Sequence, residues 1–173
     1  HFDDSALTTD HDTSWYREDG VRTELPDDFF SSRFYTDKML EYIKSGEGDD
    51  KPFFAYLAYT APHWPLQAPA EYIDKYKGQY DDGYDALAEN RLKSLEQIGL
   101  IEPDHIASEP AYPETEFWNN LSDEQRHIDA REMETYAAMV DNMDYHIGRV
   151  LDYLDASGQR DNTIVIFISD NGA

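Results

Sequence analysis

The residues of this sequence that could do chemistry lie in two places. Asp170 and Asn171 directly follow Thr163-Ile164-Val165-Ile166-Phe167-Ile168 and Ser169, and the apolar run is short, unbroken and rich in β-branched and aromatic residues. That pattern predicts a strand buried on both faces of a parallel sheet. Ligands of open α/β sheets bind just beyond the carboxyl ends of the strands, so a carboxylate and an amide oxygen placed there can hold a hard cation. Taken alone, Asp170-Asn171-Gly172 is also a good turn signal. The second place is Thr60-Ala61-Pro62-His63-Trp64-Pro65, which follows another apolar run, Phe53-Phe54-Ala55-Tyr56-Leu57-Ala58-Tyr59. Pro62 and Pro65 restrict the backbone around His63 and Trp64. An imidazole leaving the same sheet end as Asp170 could donate a hydrogen bond or shuttle a proton to an anion on the metal. His11, between Asp10 and Asp12, reads as polar surface rather than a metal cluster.

The elements that must position these groups read as follows. Up to Phe34 there is no sustained period, with Glu18-Asp19-Gly20 as a turn between two halves of a short hairpin, Trp15-Tyr16-Arg17 and Val21-Arg22-Thr23. Thr36 is expected to cap a helix that buries Met39, Leu40 and Ile43 and ends at Gly46. The strand 53–59 follows, so the order is helix, turn, strand. After Pro69 a short helix runs through Tyr72, Ile73 and Tyr76. A longer one spans Asp81 to Ile98, with Tyr84, Leu87, Leu92, Leu95 and Ile98 on one side and Gly99 as its stop. Pro103, Pro110 and Pro113 make residues 100–121 an extended surface excursion that includes His105, and Asn120-Leu121-Ser122 matches a glycosylation pattern too short to assign a role. Ser122-Asp123-Glu124-Gln125 is a capping box opening the longest helix. Its predicted core stripe is Met133, Tyr136, Ala137, Val140, Met143, Ile147, Val150, Leu151 and Leu154, with Met139 and Met143 read as packing.

The totals narrow the function classes. The chain has 173 residues, 40% of them apolar and 14% aromatic, enough for the core of one ordinary domain. Against 37 Asp and Glu stand 14 Lys and Arg, and a formal charge of -23 argues against nucleic acid as a partner. There is no cysteine, hence no disulfide framework, thiolate zinc site or Cys nucleophile within these residues, and no redox compartment can be read from them. No run is long and apolar enough for a membrane span. The chain opens on His1 rather than Met and stops just past a predicted buried strand, and it holds two core strands where a sheet usually has about five or six. It is therefore expected to be the central part of a single domain, truncated at both ends.

Four segments together carry a resemblance. KPFFAYLAYTAPHWPLQAP (residues 51–69), YAAMVDNMD (136–144), IGRVL (147–151) and DNTIVIFISDNGA (161–173) resemble, in order and spacing, the middle of a bacterial arylsulfatase. The likeness extends to Leu25-Pro26-Asp27-Asp28-Phe29 and Gly78-Gln79-Tyr80. It implies an alkaline-phosphatase-like α/β fold, a large mixed sheet flanked by helices, incomplete in this chain. It implies hydrolysis of a sulfate ester, small or carbohydrate, at a Ca2+ site, or Mg2+ if the site is smaller. In that family the nucleophile is a formylglycine made from a Cys or Ser in a Cys/Ser-x-Pro-x-Arg motif. Carried over by position, Asp170 and Asn171 match a pair of metal ligands, and His63 matches the histidine that contacts sulfate and protonates the leaving group.

The departures are as specific. The Cys/Ser-x-Pro-x-Arg motif, the amino-terminal pair of Asp ligands and the Gly-Lys-Trp-His segment are absent from these residues. Residues 1–173 by themselves are thus expected to show no sulfatase turnover. Two alternatives stand beside this reading: a phosphodiesterase or phosphonate monoester hydrolase of the same superfamily, and a non-catalytic acidic calcium-binding module.

Overall fold

A computed structural model describes residues 16–49, 51–102 and 118–169. The described chain is α/β in content with helices dominant, and it divides into two compact units. One comprises residues up to Ala61 together with those from Met143 onward; the other is Pro62–Asn142.

In the first of these units, Arg17–Glu18 (β1) and Val21–Arg22 (β2) form an antiparallel hairpin in which Arg17 faces Arg22 and Glu18 faces Val21. Asp19 and Gly20 both have positive φ, 51° and 78°, as a tight turn matched to strand twist requires. The Thr23 N–H donates to the Tyr16 carbonyl at 3.0 Å, and Trp15 lies outside the described residues. The hairpin is tied to the next helix, Ser31–Ser45 (α1), through one carboxylate. Glu18 accepts from Lys38 Nζ at 2.9 Å and from the Tyr42 hydroxyl at 2.8 Å, and both bonds hold its pKa below the usual carboxylate value.

Helix α1 corrects the expected start. Thr36 is not its cap: it sits one turn inside, fully buried, and its hydroxyl donates to the Ser32 carbonyl at 2.8 Å. Phe30 occupies the cap position without a side-chain hydrogen bond. A threonine can sit inside a helix when its hydroxyl bonds back four residues, and sequence alone does not distinguish that from a cap. The stop falls at Gly46 as expected, with its N–H bonded to Ile43 O. With its proton committed to Ser32, Thr36 Oγ1 accepts from the Tyr59 hydroxyl at 2.7 Å, while Ser31 Oγ and Thr60 Oγ1 are 3.4 Å apart. These contacts fasten the end of the 53–60 segment to α1.

The last long helix, Asp123–Ala156 (α4), begins as predicted, with the Gln125 N–H donating to Ser122 Oγ at 3.2 Å. The reciprocal half of the box is missing, because the Gln125 side chain donates to Asp129 instead. The buried face departs from the expected stripe. Ala130, Glu134, Ala138, Asn142 and His146 are buried at four-residue spacing, whereas Tyr136 and Val140 are exposed. A hydropathy stripe cannot find this face, because three of the five residues are polar, and two of them, Glu134 and His146, are buried with partners instead of by apolarity. Glu134 accepts from the Gly78 N–H at 2.7 Å and pairs with Arg131; His146 Nδ1 lies 3.0 Å from Arg149 Nη1. Asn142 Oδ1 meets no donor among the described residues. Within the first unit Arg149 also reaches Asp37 at 2.6 Å, and Tyr153 donates to Glu47.

In the second unit, Ala70–Ile73 (α2) passes into a 3-10 turn at Asp74–Tyr76, and Gly83–Gln97 (α3) ends before Gly99, whose φ is +73°. Tyr84, Leu87, Leu92 and Leu95 are partly buried, but Ile98 is exposed. Gly83 lets the chain pass against Trp118, which meets Tyr84 edge-on at 5.2 Å. The Trp118 carbonyl accepts from Arg126 Nε at 3.2 Å.

The two predicted core strands are the main correction. Neither 53–59 nor 163–168 is in a strand, and the hairpin is the sheet among the described residues. Phe54 is 93% and Ile164 89% exposed, and Phe53, Tyr56, Ile166, Phe167 and Ile168 are exposed as well. Strand formation needs a neighbouring backbone for hydrogen bonds and a layer to cover each face, and apolar composition by itself supplies neither.

Candidate active-site loop

The residues between 62 and 69 form a loop with prolines at 62, 65 and 69, and the Trp64–Pro65 peptide is cis. Pro69 starts α2, with its carbonyl accepting from the N–H groups of Tyr72 and Ile73 at 2.9 and 3.2 Å. His63 and Trp64 are both exposed, Trp64 by 59%. His63 Nδ1 lies 2.7 Å from the Trp64 carbonyl oxygen. A carbonyl can only accept, so Nδ1 carries the hydrogen in this contact, and Nε2 is the other ring nitrogen. A neutral ring then offers a base at Nε2, and a charged ring offers an acid there.

The other end of the loop is held by an unusual acceptor. The Gln67 N–H donates to Met139 Sδ at 3.3 Å, and Met139 is buried in the middle of α4. Packing was the expected role for Met139, and packing it does, but its sulfur also anchors the His63 loop. No sequence signal announces a contact between residues 72 apart through so weak an acceptor.

Asp170 and Asn171 lie outside the described residues, as do His11 and His105. Of the predicted site residues, the described part of the structure holds His63 and its loop. Among the described residues no three His, Asp or Glu side chains are grouped to hold a cation. The donor types available at 170 and 171, one carboxylate and one amide oxygen, suit Ca2+ or Mg2+ rather than a softer metal. No helix among the described residues is long and apolar enough to cross a membrane.

Comparison with known proteins gives these features a context. The sulfatase family model matches residues 2–173. An uncharacterized sulfatase of Schizosaccharomyces pombe is 46% identical over 158 residues, covering 91% of this chain and 28% of the relative. An arylsulfatase of Klebsiella aerogenes is 41% identical over 175 residues, with 100% and 37% covered. The multifunctional alkaline phosphatase superfamily protein PehA of Trinickia caryophylli is 36% identical over 153 residues, with 87% and 29% covered. The chain thus spans about a third of the length of these curated relatives. With the match running essentially from one end to the other and through the loop that carries His63, this chain belongs to the sulfatase family.

Proposed function

We propose that this chain is the central part of a single sulfatase catalytic domain with an alkaline-phosphatase-like fold, and that the complete protein hydrolyses sulfate esters of the arylsulfatase type. The observation that carries this reading is the family match over residues 2–173, supported by the likeness to the Klebsiella aerogenes arylsulfatase. In this reading residues 53–59 and 163–168 become strands of a larger sheet. The substrate is a small or carbohydrate sulfate ester.

His63 is the residue of this chain assigned to the chemistry. Its ring is oriented by the Nδ1–H bond to the Trp64 carbonyl, so Nε2 binds a sulfate oxygen or gives a proton to the leaving-group oxygen. Asp170 and Asn171 would supply two oxygen ligands to Ca2+ or Mg2+, and the bound cation would neutralise charge on the sulfate oxygens. The formylglycine nucleophile is assigned to sequence beyond residues 1–173, and these residues alone are inactive in this reading.

The test is hydrolysis of p-nitrophenyl sulfate by the complete protein, with and without a chelator. His63→Ala and Asp170→Asn are each expected to lower kcat/KM by about a hundredfold or more, in the range for removing a proton-transfer or charge-stabilising group. Full activity in the presence of chelator, or in the His63→Ala protein, would overturn the assignment. A second reading has support from the 36% identity to PehA, a protein named for multiple activities in the alkaline phosphatase superfamily. Turnover of phosphate diesters or phosphonate monoesters, with none of the sulfate, would move the protein to that side.

A further inference from the structure

We infer that Met139 is a positioning residue for His63, acting through the Gln67 N–H, an inference that rests on the reading of His63 as the group that meets the ester. Three of the eight residues from Pro62 to Pro69 are prolines, so the loop has few N–H groups with which to fasten itself. The Gln67 donor is aimed at Met139 Sδ, 3.3 Å away, and Met139 is only 6% exposed. Mid-helix carbonyls are occupied by the helix's own bonds, so an acceptor offered from the middle of α4 has to come from a side chain. A thioether is apolar enough to be buried without penalty and still accepts, and burial removes the competing water. Leucine could pack there equally well and would accept nothing.

The mechanical link is short. From the anchor at Gln67 the chain passes back through Leu66 and Pro65, whose φ is fixed by its ring, to Trp64, whose carbonyl holds the imidazole at Nδ1. Met139 thereby references the direction of His63 Nε2 to a 34-residue helix instead of to a free loop. A proton donor must sit within a few tenths of an ångström of its productive place, so slackening this anchor costs turnover more than binding.

The experiment compares the complete wild-type protein with Met139→Leu and Met139→Gln. Leu conserves volume, so its thermal midpoint is expected to stay with that of the wild type. Hydrogen exchange of the peptide spanning residues 62–69 is expected to quicken about tenfold, and the 15N-labelled His63 ring resonances to move. On p-nitrophenyl sulfate, kcat should fall about tenfold with KM little changed, and Met139→Gln, which offers an oxygen on an unbranched stem, should recover protection of the loop. Unchanged exchange and unchanged His63 resonances in Met139→Leu would overturn the inference. If the wild type turns over no sulfate ester, the assignment of His63 falls, and the exchange and ring resonances still decide whether the sulfur sets the histidine's position.

Discussion

Gly83 is the position where a single added carbon should do most harm for its size. It begins α3 with φ at +84°, and a Cβ added there would lie 2.6 Å from both Cδ1 and Cε2 of Trp118 and closer still to Nε1. Ordinary contacts start near 3.4 Å, so the overlap is close to an ångström on three ring atoms at once. Trp118 has little room to yield: it is buried, met edge-on by Tyr84, and its carbonyl is bonded by Arg126. The positive φ alone costs alanine about 1–2 kcal/mol, and forcing the overlap adds about 1–3 kcal/mol. Gly99 separates the two contributions, since its φ is +73° and a Cβ at that position would meet nothing within 4 Å. Gly99→Ala should therefore show the backbone cost only. Thermal denaturation of the two variants should place Gly83→Ala lower by about 5 °C, from about 2–4 °C per kcal/mol for a domain of this size. A Gly83→Ala protein melting at or above Gly99→Ala would refute the argument and mean that Trp118 is not seated as described.

Two further perturbations probe the other unit. Thr36→Val keeps the shape of a fully buried side chain but removes the hydroxyl shared by Ser32 O and the Tyr59 OH, and should cost about 1–3 kcal/mol in urea denaturation; an unchanged midpoint would show that water replaces the bond. His146 has its pKa lowered, first by burial and then by the Arg149 and Arg33 charges, with Asp37 opposing. A depressed histidine contributes stability that is present above its unfolded value, about 6.5, and lost as pH falls through the lower folded value. Melting midpoints taken from pH 7.5 down to 4.5 should drop more for the wild type than for His146→Gln, and parallel curves would exclude His146 as the source.

Much of the helical framework could be read directly from residue types. The turn at Asp19-Gly20, the stops at Gly46 and Gly99 and the Ser122 cap are local events, decided by the backbone within a turn or so. Features that depend on distant residues escaped. Thr36 looks like a cap until its Tyr59 partner is seen, and the face through Glu134, Asn142 and His146 is invisible to a hydropathy pattern because these three residues are polar, with Glu134 and His146 held by hydrogen bonds. The His63 loop was legible from its prolines, but not the sulfur that anchors it. Residues 53–59 and 163–168 show the limit most clearly, since an apolar run states what a segment needs and not whether the rest of the fold provides it.

Those two runs also bear on how the polypeptide behaves in bulk solution. Short, uncharged, β-prone stretches that are open to solvent are the raw material of intermolecular zippers. What opposes such growth here is the chain's own surplus of carboxylates, a formal charge of -23 that makes copies repel one another at a distance. That repulsion reaches only about 8 Å at physiological ionic strength and about 3 Å at 1 M. Salt, acid or divalent cations would therefore weaken that protection for residues 1–173 taken alone, while leaving the exposed apolar side chains of these two runs untouched.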